Sequence, residues 1–457
     1  MKTLAQIGSE LQGYDPQALR ADQVLAFLSE LALPVTSSQV LPLFGALGRV
    51  LAENVIAPLD VPAHDNSAMD GFAFDSQQCV ADAPLQLEVV GTALAGRAWP
   101  GQVQAGQALK IMTGAIMPAG LDTVVPQEFV TVMPNNGPFE RIVIPAGLLQ
   151  PGDNRRLRGE DLAKGSKALL KGELLTPARL GLIASLGIKS VKIFRPLRVA
   201  YFSTGDEILS LGEAPREGAV YDSNRYTVFA LLTRMGCEVI DLGVVRDEPA
   251  LLEAAFLQAA AQADAIITSG GVSVGEADFT KAMMKKLGDV AFWRVAMRPG
   301  RPMAVGRIPK AKTAASPIQT GASSYENNSE SIADPASNAG SAILFGLPGN
   351  PVAVMVTFLA FVRPALLQMM GVTSAPPPLL KAFSDEPMRK KPGRTEYQRG
   401  WVSTAPDGTL HVKTTGSQGS GVLRSMAEAN GLIVLNHAQG NVATGDAVDV
   451  MMFDGVI

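Results

Sequence analysis

Residues 266–278 read Ile266-Ile267-Thr268-Ser269-Gly270-Gly271-Val272-Ser273-Val274-Gly275-Glu276-Ala277-Asp278, and this stretch decides the fold class. Its apolar start is typical of a buried strand, and the glycine-rich turn after it leads into the start of a helix. Such a turn presents backbone N–H groups at a helix N-terminus, where hydrogen bonds and the helix dipole favour a bound anion. The stretch therefore predicts a phosphate-binding loop with acidic residues beside it.

The same arrangement, a polar or glycine-rich loop directly after an apolar strand, recurs along the chain. It is found at Ser203-Thr204-Gly205-Asp206-Glu207, at Arg246-Asp247 and at Leu347-Pro348-Gly349-Asn350-Pro351. In an open α/β sheet, loops at the carboxyl ends of the strands converge on one crevice. We therefore expect several loops to build one ligand site.

The composition is that of an ordinary globular protein, with 47% apolar and 18% charged residues. A chain of 457 residues is too long for one compact core, which predicts several domains. The net charge of −4 gives no reason to expect nucleic-acid binding. The N-terminus lacks a signal-peptide pattern, and the most apolar segment, 352–362, is too short to span a membrane. We expect a cytoplasmic protein with neither membrane nor nucleic-acid partners.

Cysteine and histidine are both scarce. The chain has two cysteines, Cys79 and Cys237, and three widely separated histidines, His64, His411 and His437. These numbers exclude a disulfide framework and argue against a metal centre of thiolates or imidazoles. A site in this chain must therefore use carboxylates and hydroxyls.

The N-terminal part reads as helical and extended. Apolar residues at 24, 27, 28 and 31 give residues 15–33 the spacing of one helix face, and a second apolar stretch covers 41–51. We interpret both as a helical packing element. Residues 52–144 change to short apolar runs separated by Gly, Pro and Asn, which predicts a small β-domain.

From residue 177 the pattern alternates between helix and strand. Helices are predicted over 177–186, 224–235, 249–262 and 278–287, with strands over 197–203, 238–244 and 265–269. This alternation indicates right-handed crossovers and a parallel sheet.

Residues 310–342 and 376–457 depart from that pattern. The first segment is rich in Ser, Ala, Asn and Thr, which predicts a disordered excursion between two strands. The second follows a triple proline at 376–378 and returns to short apolar runs, which predicts a C-terminal β-barrel or sandwich.

Eight segments carry more polar and glycine residues than packing requires. They are Asp65-Asn66-Ser67-Ala68-Met69-Asp70-Gly71-Phe72, Met112-Thr113-Gly114-Ala115, Arg158-Gly159-Glu160-Asp161, Ser203 to Glu207, Tyr221-Asp222-Ser223-Asn224-Arg225, Thr268 to Asp278, Met297-Arg298-Pro299-Gly300-Arg301-Pro302, and Leu347 to Pro351. In this order the set resembles the molybdopterin molybdotransferase family, the MoeA and gephyrin E-domain family. The resemblance covers the whole chain except 310–342.

The resemblance implies a homodimer that inserts molybdate into adenylylated molybdopterin, releasing AMP in a Mg²⁺-dependent step. It also implies a multidomain fold of class α/β plus β, with a central three-layer α/β molybdopterin-binding domain at 176–372. A small N-terminal helical and extended dimerisation domain is expected at 1–51 and 145–175, an inserted small β-domain at 52–144, and a C-terminal β-barrel at 373–457. Molybdopterin adenylyltransferase and other proteins of the same pathway are implied as partners.

The acidic residues are assigned through the resemblance. It implies that Glu207, Asp247 and Asp278 act in catalysis and hold the metal, and that Asp161 is also catalytic. Taken singly, an Asp in a loop is more often a turn or helix-capping residue.

The basic residues around 294–301 form the second part of the expected site. Arg298 is assigned to catalysis, and Arg294 and Arg301 to substrate binding. The family more commonly has lysine around the Pro299-Gly300 turn; arginine keeps the charge but changes the hydrogen-bond geometry. The remaining expected substrate-binding residues are Asp65, Ser67, Thr113, Thr204, Ser269, Gly270, Gly271, Ser273, Pro348 and Pro351.

The residues alone leave three alternative functions open. They are adenylylation of molybdopterin, insertion of tungstate in place of molybdate, and a receptor-clustering scaffold like gephyrin. Adenylylation uses an α/β domain alone, so the 65–70 motif and the C-terminal β-domain argue against it. A scaffold would need a fused adenylyltransferase domain and a linker, which this sequence lacks.

Overall fold

The N-terminal segment contributes two helices and three short strands. A computed structural model describes residues 2–80, 82–134, 138–272, 279–310, 340–373 and 375–453. The first elements are helices α1 (Leu4–Glu10) and α2 (Ala21–Leu31) and strands β1 (Ser38–Pro42), β2 (Val55–Ile56) and β3 (Asn66–Ser67).

The predicted helical packing element is only partly correct. The helix begins at Ala21 rather than at residue 15, and 38–42 is a strand. The apolar face of α2 packs onto the α/β core, where the ring centroids of Phe27 and Trp293 lie 4.9 Å apart in an edge-to-face arrangement. Strand β1 is extended because it pairs antiparallel with residues 190–194, a contact that local periodicity does not encode.

Within the region 52–144 predicted as a small β-domain, residues 71–144 form one six-stranded sheet. Its strands are β4 (Gly71–Phe74), β5 (Leu85–Ala93), β6 (Gln107–Ile111), β7 (Thr123–Pro126), β8 (Thr131–Met133) and β9 (Glu140–Ile144), in the order β7-β4-β6-β5-β9-β8. Four elements follow it: β10 (Arg155–Arg156), β11 (Lys167–Leu169), α3 (Pro177–Ser185) and β12 (Ser190–Phe194). Strands β10, β11 and β12 pair with β3, β2 and β1 respectively, so the chain returns alongside its own N-terminal part.

The α/β domain holds the largest hydrophobic core. Its elements are β13 (Arg198–Thr204), β14 (Ile208–Leu209), β15 (Val220–Tyr221), α4 (Ser223–Arg234), β16 (Glu238–Val245), α5 (Pro249–Gln262), β17 (Ala265–Ser269), α6 (Phe279–Leu287), β18 (Asp289–Arg294), β19 (Met297–Arg298), β20 (Pro302–Pro309) and β21 (Ser341–Leu347). The main sheet has the order β16-β13-β17-β21-β20-β18.

The prediction of a parallel sheet holds for only part of this sheet. Strands β16, β13, β17 and β21 are parallel, but β20 and β18 run antiparallel to their neighbours. The prediction was wrong here because β18 and β20 are joined by a short turn rather than by a helical crossover.

A long core helix follows the sheet. It consists of α7 (Pro351–Thr357), a π-helical turn at Phe358–Val362 and α8 (Arg363–Met369). The apolar segment thus continues past Arg363, and among the described residues this helix alone reaches the length and apolar character of a membrane span. Of the most apolar 18-residue stretch of this helix, 72% is buried inside the fold. We therefore interpret it as a core helix.

The C-terminal domain is a closed five-stranded barrel, as predicted. Its elements are β22 (Leu380–Ser384), β23 (Thr395–Thr404), β24 (Leu410–Thr414), α9 (Leu423–Ala427), β25 (Gly431–Leu435) and β26 (Ala447–Met452). The order β23-β24-β22-β26-β25 closes because β25 also pairs with β23.

The segment 310–342, expected to be a disordered excursion, departs from that prediction because its first residue and its last residues are ordered. Residues 341–342 belong to β21, and Lys310 donates its backbone N–H to the Gly340 carbonyl at 2.8 Å. Residues 311–339 lie outside the described residues. Residues 310 and 340 are therefore already close enough for a tight turn to join them.

Replacing 311–339 with Asn-Gly should leave the melting temperature unchanged or slightly raised, because a shorter loop costs less closure entropy. Thermal unfolding measures the effect. A matched control that also deletes Ser341 and Ala342 should melt lower, because it removes ladder hydrogen bonds and a fully buried Ala342. A lower melting temperature in the first variant would show that 311–339 contributes stabilising contacts.

Candidate active site

A cleft of about 1370 Å³ opens at the carboxyl ends of β13, β17 and β21, and loops of the barrel line its other side. Ten residues predicted from sequence line it: Thr204, Glu207, Asp247, Ser269, Gly270, Gly271, Arg298, Arg301, Pro348 and Pro351. The expectation that strand-end loops converge on one crevice is therefore met.

The glycine turn after β17 is packed too tightly for side chains. Gly270 has φ +92°, and a Cβ there would collide with the Thr204 carbonyl oxygen. Gly271 has φ +64°, and a Cβ there would collide with the Thr280 side chain. Glycine alone accepts these angles without strain and lets the backbone approach its neighbours this closely.

A buried hydroxyl network lies beneath this turn. The Tyr201 hydroxyl is 2.7 Å from Ser269 Oγ and 2.9 Å from Ser203 Oγ, and all three side chains are buried. Burial raises the pKa of Tyr201, so its phenol stays neutral and available to hydrogen-bond. The network fixes the position of Ser269 at the cleft. Ser203 begins one of the polar, glycine-rich segments noted in the sequence, whereas Tyr201 carries no signal that separates it from an ordinary strand residue.

Two of the three expected metal-binding acids reach the cleft. The Thr280 hydroxyl donates to Asp247 Oδ1 at 3.1 Å, and the Glu207 carboxylate lies over Gly205, within 2.5 Å of where a Cβ would be. Asp278 and Ser273 lie outside the described residues.

In the described part of the chain, no group of three His, Cys, Asp or Glu side chains is placed to hold a metal. Two carboxylates do suit Mg²⁺, which is often held by one or two protein carboxylates together with water and substrate oxygens. The assignment of Glu207, Asp247 and Asp278 to the metal stays a prediction.

The basic turn at 298–301 is held against the barrel. Strand β19 pairs with the start of β23, and Thr395 N–H donates to the Ala296 carbonyl at 2.9 Å. This pairing presents Arg298 and Arg301 to the cleft. Arg294 is not brought there; it lies at the end of edge strand β18, with its N–H bonded to the Pro16 carbonyl.

The barrel supplies cleft residues that the sequence analysis missed. These are Arg394 and residues 418–421. Arg394 donates through Nε and Nη2 to the buried Glu396 carboxylate at 2.8 and 2.7 Å, which fixes its guanidinium. The only sequence signal is the glycine- and serine-rich run at 416–421.

A buried arginine supports that run. Arg399 donates to the Ser417 and Gly419 carbonyls at 3.1 and 3.0 Å and to Ser425 Oγ at 3.0 Å. Burial, followed by the neighbouring charge of Arg298, lowers the pKa of Arg399 to about 10, so it remains a cation at neutral pH. It therefore adds positive charge behind this wall of the cleft.

Four further predicted residues lie in and beside the small β-domain rather than at the cleft. None of Asp65, Ser67, Thr113 and Asp161 lines the cleft. Thr113 donates its N–H and hydroxyl to Asp70 at 2.7 and 2.8 Å, which lowers the pKa of Asp70. The described chain thus holds two polar groups of residues, one in the cleft and one outside it.

Known proteins resemble the chain along nearly its full length. Residues 19–187 match the MoeA N-terminal region (domain I and II), residues 200–368 a probable molybdopterin binding domain, and residues 381–453 the MoeA C-terminal region (domain IV). Molybdopterin molybdenumtransferase from Haemophilus influenzae is 39% identical, covering 94% of this chain and 97% of that protein. The protein of the same name from Nostoc is 36% identical, covering 91% and 88%.

Solved structures agree with these matches. A molybdopterin biosynthesis moeA protein from Pyrococcus horikoshii superposes with a TM-score of 0.72 at 24% identity, covering 95% of this chain and all of that one. A second solved structure of a molybdopterin biosynthesis moeA protein from Pyrococcus horikoshii gives a TM-score of 0.67 at 26% identity, covering 96% of this chain and 99% of that one.

The glycine turn can be tested by substitution. Gly270→Ala should destabilise the fold by about 1–3 kcal/mol or more, because alanine is strained at this φ and its methyl group collides with Thr204. Gly349→Ala is the matched control from the same cleft, since a Cβ there meets nothing within 4 Å. Chemical denaturation measures both variants. Equal stability of the two would contradict the packing described for Gly270.

Proposed function

The chain belongs to the MoeA family, and from that membership we propose that it is a molybdopterin molybdenumtransferase, which inserts molybdate into adenylylated molybdopterin and releases AMP. The observation that carries the proposal is one cleft that joins a glycine turn, a basic turn and two carboxylates. The curated relatives at 39% and 36% identity bear the name of this activity and align over at least 88% of their own length.

The substrate phosphates would bind between the glycine turn and the basic turn. Backbone amides around Gly270 and Gly271 suit phosphate oxygens, and Arg298 and Arg301 add charge-assisted hydrogen bonds. Arg394 and the 418–421 loop close this part of the cleft from the barrel side. The glycine turn, the basic turn and the barrel loop are far apart along the chain, so the anion site exists only in the folded protein.

Mg²⁺ would be held by Glu207 and Asp247, with Asp278 as a third candidate ligand. When bound, the ion would neutralise charge that develops on the phosphate oxygens as AMP leaves. The two carboxylates would hold that ion, and Thr280 holds Asp247 in place by its hydrogen bond. Arg298 and Arg301 line the same cleft and would stabilise negative charge on the same phosphates.

We further propose that the active enzyme is a homodimer in which the 65–70 and 113 motifs of one subunit approach the cleft of the other. The separation of these motifs from the cleft in one chain supports this arrangement. Apolar side chains exposed at Val40, Phe44 and Leu47 also suit a surface covered by a partner.

The cellular setting is proposed to be the cytoplasm. Cys79 and Cys237 are both free thiols, which suits a reducing compartment. The substrate must come from an enzyme that adenylylates molybdopterin, so molybdopterin adenylyltransferase is a natural functional partner. Nucleic acid and membrane are not among the proposed partners.

Asp247→Asn and Glu207→Gln should each lower the rate of AMP release by about 10²-fold, the scale of losing one preorganised electrostatic contact. The assay supplies adenylylated molybdopterin, Mg²⁺ and either molybdate or tungstate, and measures AMP and active cofactor. Glu217→Gln, an exposed carboxylate outside the cleft, is the control. Wild-type rates in either cleft variant would rule out its proposed role; no AMP release by the wild type with either oxyanion would reject the function.

A shared active site predicts complementation between inactive subunits. Asp247→Ala and Asp65→Asn should each be inactive, and unfolding followed by random reassembly should make about half of the dimers mixed. Each mixed dimer has one intact and one doubly altered site, so about a quarter of wild-type activity should return. Recovery is measured by AMP release after the dimers are re-isolated. Re-formed dimers without activity would place the whole site in one subunit.

A further inference from the structure

Two buried acceptor oxygens lie at the cleft beside the N-terminus of α4. Asp222 caps this helix, since its Oδ1 accepts the Arg225 N–H at 3.0 Å. Its Oδ2 is buried and has no hydrogen-bond partner among the described residues, although Asp222 lines the cleft. The residue is only 3% exposed, so bulk water does not compensate that oxygen.

Asn224 repeats this arrangement two residues later. Its Nδ2 donates to the Gly349 carbonyl at 2.7 Å, which fixes the orientation of the amide. The Oδ1 atom therefore faces away from Gly349; it too is buried and without a partner in the described part of the chain. Asn224 is 7% exposed and also lines the cleft.

Unpaired buried acceptors select the kind of ligand that fits. A buried oxygen without a donor is unfavourable, so a ligand that brings N–H donors gains the most here. A helix N-terminus alone would favour an anion, but the full negative charge of Asp222 outweighs the half positive charge of the helix dipole. The lining at Asp222 and Asn224 is therefore complementary to hydrogen-bond donors, unlike the lining at Arg298 and Arg301.

The wall beside these oxygens is apolar and aromatic. Ile208, Val220 and Tyr221 line it, where β14 and β15 pair. The Tyr221 hydroxyl donates to the Glu213 carbonyl at 2.9 Å, which restrains the ring. A restrained ring beside buried acceptors suits a flat heterocycle with donors along one edge.

We infer that Asp222 and Asn224 recognise the pterin of the substrate through its 2-amino and N3–H donors, with the ring against the Tyr221 wall. This inference rests on the proposed function, because it takes the pterin from the proposed substrate. The 2-amino-4-oxopyrimidine edge of a pterin carries two adjacent N–H donors, which match two acceptor oxygens. The phosphates of the same molecule then extend toward Arg298 and Arg301.

The test compares two heterocycles on the full chain. The probes are 6-hydroxymethylpterin and 6-hydroxymethyllumazine, which has a C2 carbonyl in place of the 2-amino group. Both probes are fluorescent, so their dissociation constants can be measured by titrating the protein into each probe and following the fluorescence. Each titration is run once in buffer with EDTA and once in buffer with Mg²⁺. The wild type should bind the pterin about tenfold to a hundredfold more tightly than the lumazine, as expected for hydrogen bonds to a charged acceptor.

Asp222→Asn should reverse that preference. The variant keeps an oxygen for the Arg225 N–H, so the helix cap remains, but it places an NH₂ donor where Oδ2 was. This donor repels the 2-amino group and matches the carbonyl of the lumazine. Asp222→Ser, which also keeps a cap, should lose the preference without reversing it. A purely structural role for Asp222 would not produce a change in ligand preference.

The outcomes separate this inference from the proposed function. A wild type that binds the pterin no better than the lumazine, or binds neither, would overturn the inference, as would Asp222 variants that alter Mg²⁺ affinity but not ligand preference. AMP release from adenylylated molybdopterin in the same preparation would show that the proposed function stands without it. Pterin preference without AMP release would support the recognition site and reject the transferase.

Discussion

The pairing of β19 with β23 is the contact on which the cleft depends. Residues 297–298 of the α/β domain and 395–396 of the barrel form one short parallel ladder, so the two domains share backbone hydrogen bonds at the edge of the cleft. Arg298 is the last residue of the ladder on the α/β-domain strand, and Arg394 immediately precedes the ladder on the barrel strand. The ladder therefore sets the positions of both arginines relative to each other.

A second constraint is the close approach of backbones around the glycine turn. Gly270 and Gly271 lie against Thr204 and Thr280 with no room for a methyl group. The hydroxyls of Tyr201, Ser203 and Ser269 support the turn from below. Backbone amides at a turn of this kind are held in position before a ligand arrives, which lowers the entropy lost on binding an anion.

The cleft lining combines cations with unpaired acceptor oxygens. Arg298, Arg301 and Arg394 line it, with the buried Arg399 behind them. Asp222 and Asn224 line it too, together with the Tyr221 ring. A ligand that joins a donor-rich heterocycle to phosphates would satisfy both kinds of lining at once.

Local sequence patterns were enough to predict the strand and helix alternation of the α/β domain, the small β-domain, the β-barrel and most of the strand-end loops, because hydrophobic periodicity and glycine turns are local signals. They predicted a helical element where residues 38–42 form a strand. The ordered motifs also determined the family. Tertiary structure alone decided that β18 and β20 run antiparallel, that Arg394 enters the cleft, and that α2 packs on Trp293. It also placed Arg294 outside the cleft and left Asp222 Oδ2 without a hydrogen-bond partner among the described residues. These features depend on contacts between residues far apart in the chain, and on burial summed over several elements, which no local pattern records.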